Sequence, residues 1–245
     1  MRDARFADDQ RRHFEQADAA HFRWTTASPG FAESEEALLA PFAAMAASPC
    51  LEIGCGEGGN LLRLARRTRC VGLDRFPAKV AFAAAAVPAA RFAVADAAFL
   101  PFRPASFRTV FIRDVLHHVD APEGVLAEAV RVLVPGGRLH VLEPNRLNPL
   151  IRLQTVLVPA ERGARRSGAG ELRGLLQRFP VTRIETSMLE PFPLRRAVLH
   201  YRLGLPWLGR LAFVRGALGA VEAAFGRMLA PARWSYIALT AERTA

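Results

Sequence analysis

The segment Leu51-Glu52-Ile53-Gly54-Cys55-Gly56-Glu57-Gly58-Gly59-Asn60 constrains this chain more than any other, because it joins an apolar strand to a helix through four glycines. Glycine reaches positive φ without a side-chain clash and lets a ligand approach the backbone, so such a turn presents N–H groups at the mouth of a helix. A strand that ends in this way belongs to an α/β fold, in which ligands bind beyond the carboxyl ends of parallel strands. A length of 245 residues suits one such domain with attached helices better than two independent ones.

From Cys50 onward, short apolar runs alternate with helical stretches. Cys50–Ile53, Cys70–Leu73, Arg91–Val94, Thr109–Ile112 and Arg138–Leu142 are predicted strands, and helices are predicted from Asn60 to Arg67, from Ala81 until Pro88, and from Pro122 to Leu133. The alternation predicts βαβ units, right-handed crossovers and a doubly wound, mostly parallel sheet, with a last strand near Trp234–Leu239. Residues 1–46 read as an N-terminal helical cap whose last helix is capped by Ser34. Pro191, Pro193, Pro206 and Pro231 punctuate two arginine-bearing apolar helices, so 191–231 is expected to be a helical lid inserted into a core made of 47–190 plus 232–245. Within it Trp207, Leu211, Val214, Leu218, Val221, Phe225 and Met228 fall at steps of four and three. Such a helical stripe packs on the sheet edge, roofs a bound apolar molecule or meets a lipid surface.

Composition narrows the setting. Half the residues are apolar and under a quarter are charged, which supplies a packed interior. No apolar core of a signal peptide follows the first charges, and no run approaches the ~20 apolar residues that a membrane-spanning helix needs. Cys50, Cys55 and Cys70 lack metal-binding spacing and are odd in number, so a cytoplasmic location is expected. The net charge of +10 is weak evidence for nucleic acid, because Lys79 is the only lysine and the alanine-rich composition biases the count. Fourteen arginines against five glutamates between Arg146 and Arg227 place the basic surface in the C-terminal third.

The glycine turn by itself leaves the cofactor open, since Gly54, Gly56 and Gly59 also satisfy the GxGxxG fingerprint of nicotinamide-binding enzymes. Glu52 breaks the tie: a carboxylate there repels a pyrophosphate but tolerates a cationic sulfonium amino acid, so S-adenosylmethionine is the expected cofactor. At this point the sequence resembles the class I S-adenosylmethionine-dependent methyltransferases over roughly its central half. Their first motif, an acid followed by x-Gly-x-Gly-x-Gly, is matched by Glu52, Gly54, Gly56 and Gly58. The resemblance implies a Rossmann-like sheet of seven strands. It further implies that Asp74, ending the second strand, accepts from both ribose hydroxyls and that Asp96 accepts from the adenine amino group. Leu126 to Leu139, with its Pro135-Gly136-Gly137 turn, resembles the family's fifth helix and strand. Cys55, Arg75, Ala97 and Arg113 complete the expected cofactor contacts.

After the fourth strand comes Arg113-Asp114-Val115-Leu116-His117-His118-Val119, where this family's active-site residues approach the methyl group. It carries neither the Asn/Asp-Pro-Pro-aromatic segment of enzymes that methylate base amines nor a nucleophilic cysteine. Asp114, His117 and His118 are therefore the catalytic candidates. Either histidine suits proton removal; both could instead line the pocket, because alignment alone supplies much of the acceleration. Some quinone-type O-methyltransferases look similar, with Glu-x-x-Glu-His here, which would make the three residues metal ligands, but no metal is assigned. The chain thus reads as a methyltransferase for a small apolar or lipid-like acceptor through oxygen, nitrogen or carbon. The alternatives are an RNA methyltransferase that uses the C-terminal arginines and a non-catalytic cofactor-binding subunit. No membrane span is expected, peripheral membrane contact is compatible with the stripe, and the sequence does not indicate an oligomeric state.

Overall fold

In a computed structural model, residues 10–202 and 204–245 are described. Helices α1 (Ala19–Ala27) and α2 (Phe31–Met45) lead into strand β1 (Cys50–Ile53), helix α3 (Leu61–Leu64) and β2 (Cys70–Asp74). Helix α4 (Pro77–Ala86), β3 (Arg91–Val94), β4 (Phe107–Arg113), α5 (Pro122–Val132) and β5 (Leu133–Pro144) complete the first run. There follow α6 (Pro149–Leu157), α7 (Ala169–Leu176), β6 (Val181–Leu189), α8 (Leu194–Val198), α9 (Ala212–Met228) and β7 (Tyr236–Arg243). Proline opens α4, α5 and α6 at their first turns, where its missing N–H is harmless and its fixed φ is already helical.

The seven strands form one sheet in the order β3-β2-β1-β4-β5-β7-β6, parallel except for β7, which runs antiparallel to both neighbours. The chain builds outward from β1 to β3 and then returns to lay β4 on the other side of β1. That reversal opens a crevice beyond the ends of β1 and β4.

The pleat sorts the core into two halves. Leu51, Ile53, Val110, Ile112, Leu139 and Val141 face one side and bury against Val125, Leu126, Ala129 and Val130 of α5 and Leu172 and Leu176 of α7. Cys50, Phe111, Leu142 and Tyr236 face the other, against Leu38, Leu39 and Phe42 of α2 and Leu61 and Leu64 of α3. Period-two alternation in the central strands is what makes both faces apolar.

The structure differs from the sequence reading at several points. The helix expected over Asn60–Arg67 is regular only over Leu61–Leu64. Ser34 lies inside α2, its hydroxyl donating back to the Gly30 carbonyl at 2.9 Å, and Gly30 is the residue before the helix. Pro135-Gly136-Gly137 is an irregularity within β5: Phe107 pairs with Leu133 and Thr109 with Arg138, so the intervening residues loop out, with Gly136 at φ 73°. Helices α8 and α9 do lie between β6 and β7, but the expected stripe is not one helix. Trp207 sits in a separate 3-10 turn, Pro206–Arg210, and Leu211 is extended at φ −85° and ψ 115°. No residue of α9 is fully buried, and Phe213 and Met228 are 75% and 80% exposed, so its apolar face does not become core.

No helix among the described residues is long and apolar enough to cross a membrane. Cys50, Cys55 and Cys70 are all buried and free.

Candidate active site

The crevice at the switch point is a cavity of about 290 Å³ whose wall includes Gly54, Cys55, Gly56, Asp74, Arg75, Asp96, Ala97, Arg113, Asp114 and His118. Gly54, Gly56 and Gly58 all take positive φ, at 74°, 52° and 87°. Their environments differ. A Cβ on Gly54 would stand 2.3 Å from Cγ2 of Val115, and one on Gly58 would crowd Ala83 and Val87 of α4 at 3.2 Å. A Cβ on Gly56 would meet nothing within 4 Å, so Gly56 is the glycine that leaves room for a ligand. Gly58 closes the turn against α4 and is not on the wall.

The backbone nitrogens of the turn are held by Asp74. Its Oδ2 accepts from the Gly56 N–H at 2.9 Å and its Oδ1 from the Phe76 N–H at 3.0 Å. Each oxygen keeps a lone pair free for a further donor. Asp96 accepts from the Ala98 N–H at 2.9 Å and is an exposed residue of the cavity wall. Cys55 is buried, which pushes its thiol up and leaves it inert.

Glu52 lies behind the wall. Its Oε1 accepts from Asn60 Nδ2 at 2.6 Å, while its Oε2 is buried with no partner. Burial pushes its carboxyl up to about 8 against the favourable pull of Asn60 and Arg113. The repulsion of phosphate expected from a full negative charge is therefore muted in this state. Through Oε1 the buried carboxyl fixes Asn60, which lines the cavity.

Arg113, ending β4, forms a two-pronged pair with Glu35 of α2, Nη1 to Oε2 at 2.7 Å and Nη2 to Oε1 at 3.0 Å, and donates to Asn60 Oδ1 at 3.0 Å. Arg196 of α8 reaches the same Glu35 oxygen at 2.8 Å. Against the upward push of burial, these two guanidiniums hold Glu35 down to about 2. Asp114 takes φ 55°, a strained conformation for a non-glycine residue. Its Oδ2 accepts from the Tyr236 hydroxyl at 3.0 Å and pairs with Arg113 Nε at 3.3 Å.

The two histidines occupy the 3-10 turn Leu116–His118, and only His118 lines the cavity. His117 is buried beneath, its Nδ1 2.6 Å from Glu143 Oε2 and its Nε2 3.4 Å from Glu161 Oε2. Burial alone would lower its pKa, but the two carboxylates raise it to about 10, so His117 is an imidazolium rather than a base near neutral pH. His118 is pushed well down by burial and by the neighbouring His117. Glu143 also accepts from the backbone N–H groups of Val115, Leu116 and His117 at 2.9, 2.8 and 3.3 Å, which fixes the turn.

Several of these groups escaped the sequence reading. Glu143 had a legible signal, an acid that ends an apolar strand as Glu52 and Asp74 do. Glu35, Glu161 and Arg196 had none, because they arrive from distant elements. The N-terminal cap supplies Phe14, Phe22 and Thr25 to the cavity, and Lys79 Nζ steadies Glu57 at 3.2 Å beside it. Much of the basic stretch is engaged internally: Arg195 pairs with Glu222 at 2.9 Å, Arg183 with Glu242 at 2.9 Å, and Arg202 with Asp18.

A family model described as "Methyltransferase domain" matches residues 51–141. The chain is 33% identical over 131 residues to 27-O-demethylrifamycin SV methyltransferase of Amycolatopsis mediterranei, covering 49% of this chain and 48% of that protein. It is 31% identical over 147 residues to trans-aconitate 2-methyltransferase of Methylobacterium radiotolerans, covering 58% and 56%. The chain thus spans about half the length of both, and about a third of other curated relatives. Among solved structures it is similar to phosphoethanolamine N-methyltransferase 2 of Haemonchus contortus in complex with S-adenosyl-L-methionine, with a TM-score of 0.69 at 19% identity, over 98% of this chain and 60% of that one.

Proposed function

We propose that the chain is a class I S-adenosylmethionine-dependent methyltransferase, which transfers the methyl group of S-adenosylmethionine to a small apolar or lipid-like acceptor. One observation carries the reading: the open Gly56 turn, Asp74 with lone pairs to spare, and His118 with Asp114 all stand on the wall of one cavity. The residues fit the cofactor. Asp74 would take the ribose hydroxyls and Asp96 the adenine amino group, while Glu52, behind the wall, would hold Asn60 in place beside them. Gly54, Cys55, Arg75, Ala97 and Arg113 shape the remaining wall.

Held by the glycine turn, Asp74 and Asp96, the cofactor would supply an electrophilic methyl carbon carried on a sulfonium. The chain's own contribution is alignment and exclusion of water. Asp114 and His118 stand where the acceptor would meet the wall. His117, beneath it, positions His118 and the turn. Phe14, Phe22, Phe76 and Val119 on the remaining wall support an apolar acceptor, and the insertion 191–231 with the N-terminal helices would serve as its lid. Three free buried cysteines are consistent with a reducing compartment, the cytoplasm.

Calorimetric titration with S-adenosylmethionine and, separately, with NADH tests the reading. Saturable binding of S-adenosylmethionine alone is expected, followed by methyl transfer in an acceptor screen. Binding of NADH alone would overturn it.

A further inference from the structure

Two 3-10 turns meet beside the cavity, Leu116–His118 after β4 and Pro159–Arg166 after α6. The first is forced to carry both histidines side by side, with ring centroids 3.8 Å apart, and the second brings Glu161 against them. One donor atom from each of His117, His118 and Glu161 lies within 4.8 Å of the others. His117 has only its Nε2 to offer, because Nδ1 is taken by Glu143 at 2.6 Å. That arrangement, a carboxylate behind the ring, aims the outer nitrogen, whose proton an incoming cation would displace.

A proton shared along Glu143, His117 and Glu161 would account for His117 but not for its neighbour. His118 Nδ1 is buried with no hydrogen-bond partner, and one ring nitrogen of His118 belongs to the same cluster. A buried polar atom left without a partner is costly, and a cation shared between imidazole nitrogens and a carboxylate would satisfy it.

We propose that His117 Nε2, His118 Nδ1 and a carboxylate oxygen of Glu161 form a site for a divalent transition ion of the zinc class, oriented by Glu143, with the acceptor's oxygen as a further ligand. Two imidazoles and one carboxylate match zinc, iron(II) or cobalt(II), whereas magnesium favours oxygen ligands and retains its waters. Three protein ligands also leave a coordination position open. His118 belongs to the cavity wall, so an ion held there stands beside the acceptor. Asp114, the other metal-ligand candidate in the sequence, is engaged by Tyr236 and Arg113 and is not part of the cluster. The ion's role toward the acceptor rests on the methyl-transfer reading, and it narrows the acceptor to one with a hydroxyl or enol oxygen. Its binding does not depend on that reading.

Titration of the full chain, stripped with chelator, with cobalt(II) chloride tests the site through the ligand-field bands of the ion. Saturation at one equivalent, displacement by zinc and at least a 100-fold weaker affinity in both His118→Gln and Glu161→Gln are expected. Glu143→Gln should weaken binding by about 10- to 100-fold, the usual effect of removing a partner behind a ligand. Calorimetry with S-adenosylmethionine on the same samples reports whether each variant is folded and keeps the two readings separate. Absence of saturable cobalt binding in a wild-type chain that binds S-adenosylmethionine would overturn the site, as would wild-type cobalt affinity in either ligand variant. Cobalt binding without S-adenosylmethionine binding would keep the site and overturn the cofactor reading.

Discussion

Glu52 combines full burial, one unfilled oxygen and a pKa lifted to about 8 from 4.5, which burial causes. Its native form holds a proton that its unfolded form has lost between those two values. Stability therefore falls as pH rises from about 4.5 to about 8, and the cost is fully present above that. In thermal unfolding without cofactor, Glu52→Gln should flatten this decline, while weakening S-adenosylmethionine binding; an unchanged pH profile would show that Glu52 does not titrate in this window. Asp74→Ala should raise the Kd for S-adenosylmethionine by at least about 10-fold, since each unpaired donor in a partly buried site costs ~1–3 kcal/mol. It also strands the Gly56 and Phe76 N–H groups, so the melting temperature should fall with it, and calorimetry would detect an unchanged Kd if the ribose lay elsewhere. Both acids were legible in sequence because each ends an apolar strand next to a glycine or a turn. The pull of burial on Glu52 was not, because it depends on Asn60, Arg113 and the depth of the strand.

At the scale of elements, the glycine turn separates a packing role from a binding role. Gly54→Ala meets both positive φ and the Val115 methyl group at 2.3 Å, so strain and overpacking add, at ~1–3 kcal/mol for each. Gly56→Ala carries the backbone strain alone, in open space. Gly54→Ala should therefore lower the melting temperature further, whereas Gly56→Ala should lose cofactor affinity out of proportion to its loss of stability. Paired melting and calorimetry measurements check this, and equal losses in both would remove the distinction. The parallel strands and their helices were readable because apolar runs alternate with amphipathic ones. The split between the 3-10 turn at Pro206 and α9 was not: steps of four and three describe a helix, but Pro206 and an extended Leu211 break it, and only the local backbone shows this. The 3-10 turn that carries Glu161 was equally unreadable, having no period of its own.

For the whole molecule, one charged seam ties the cap, the sheet and the insertion together. Glu35 comes from α2, Arg113 from β4, Arg196 from α8 and Tyr236 from β7. Glu35→Gln leaves the buried Arg113 and the partly exposed Arg196 short of a counter-charge and should lower the unfolding free energy by about 3 kcal/mol in denaturant titrations. Glu35 sits near pKa 2, so the stability it adds is present above about 4.5 and lost as pH falls toward 2. The variant's deficit should accordingly shrink in acid, and a deficit constant across that range would show that charge is not its cause. Sequence patterns report neighbours along the chain, and this seam has none.

The same seam bears on modularity. The stretch matched by the family model, 51–141, contains Arg113 but neither Glu35, Arg196 nor Tyr236. Cut out alone, it would leave the Arg113 guanidinium without its two-pronged partner Glu35, with only Asp114 beside it at an uncovered sheet edge. What is recognisable as a family segment is therefore not an autonomous unit, and grafting it into another scaffold would require carrying its electrostatic partners along.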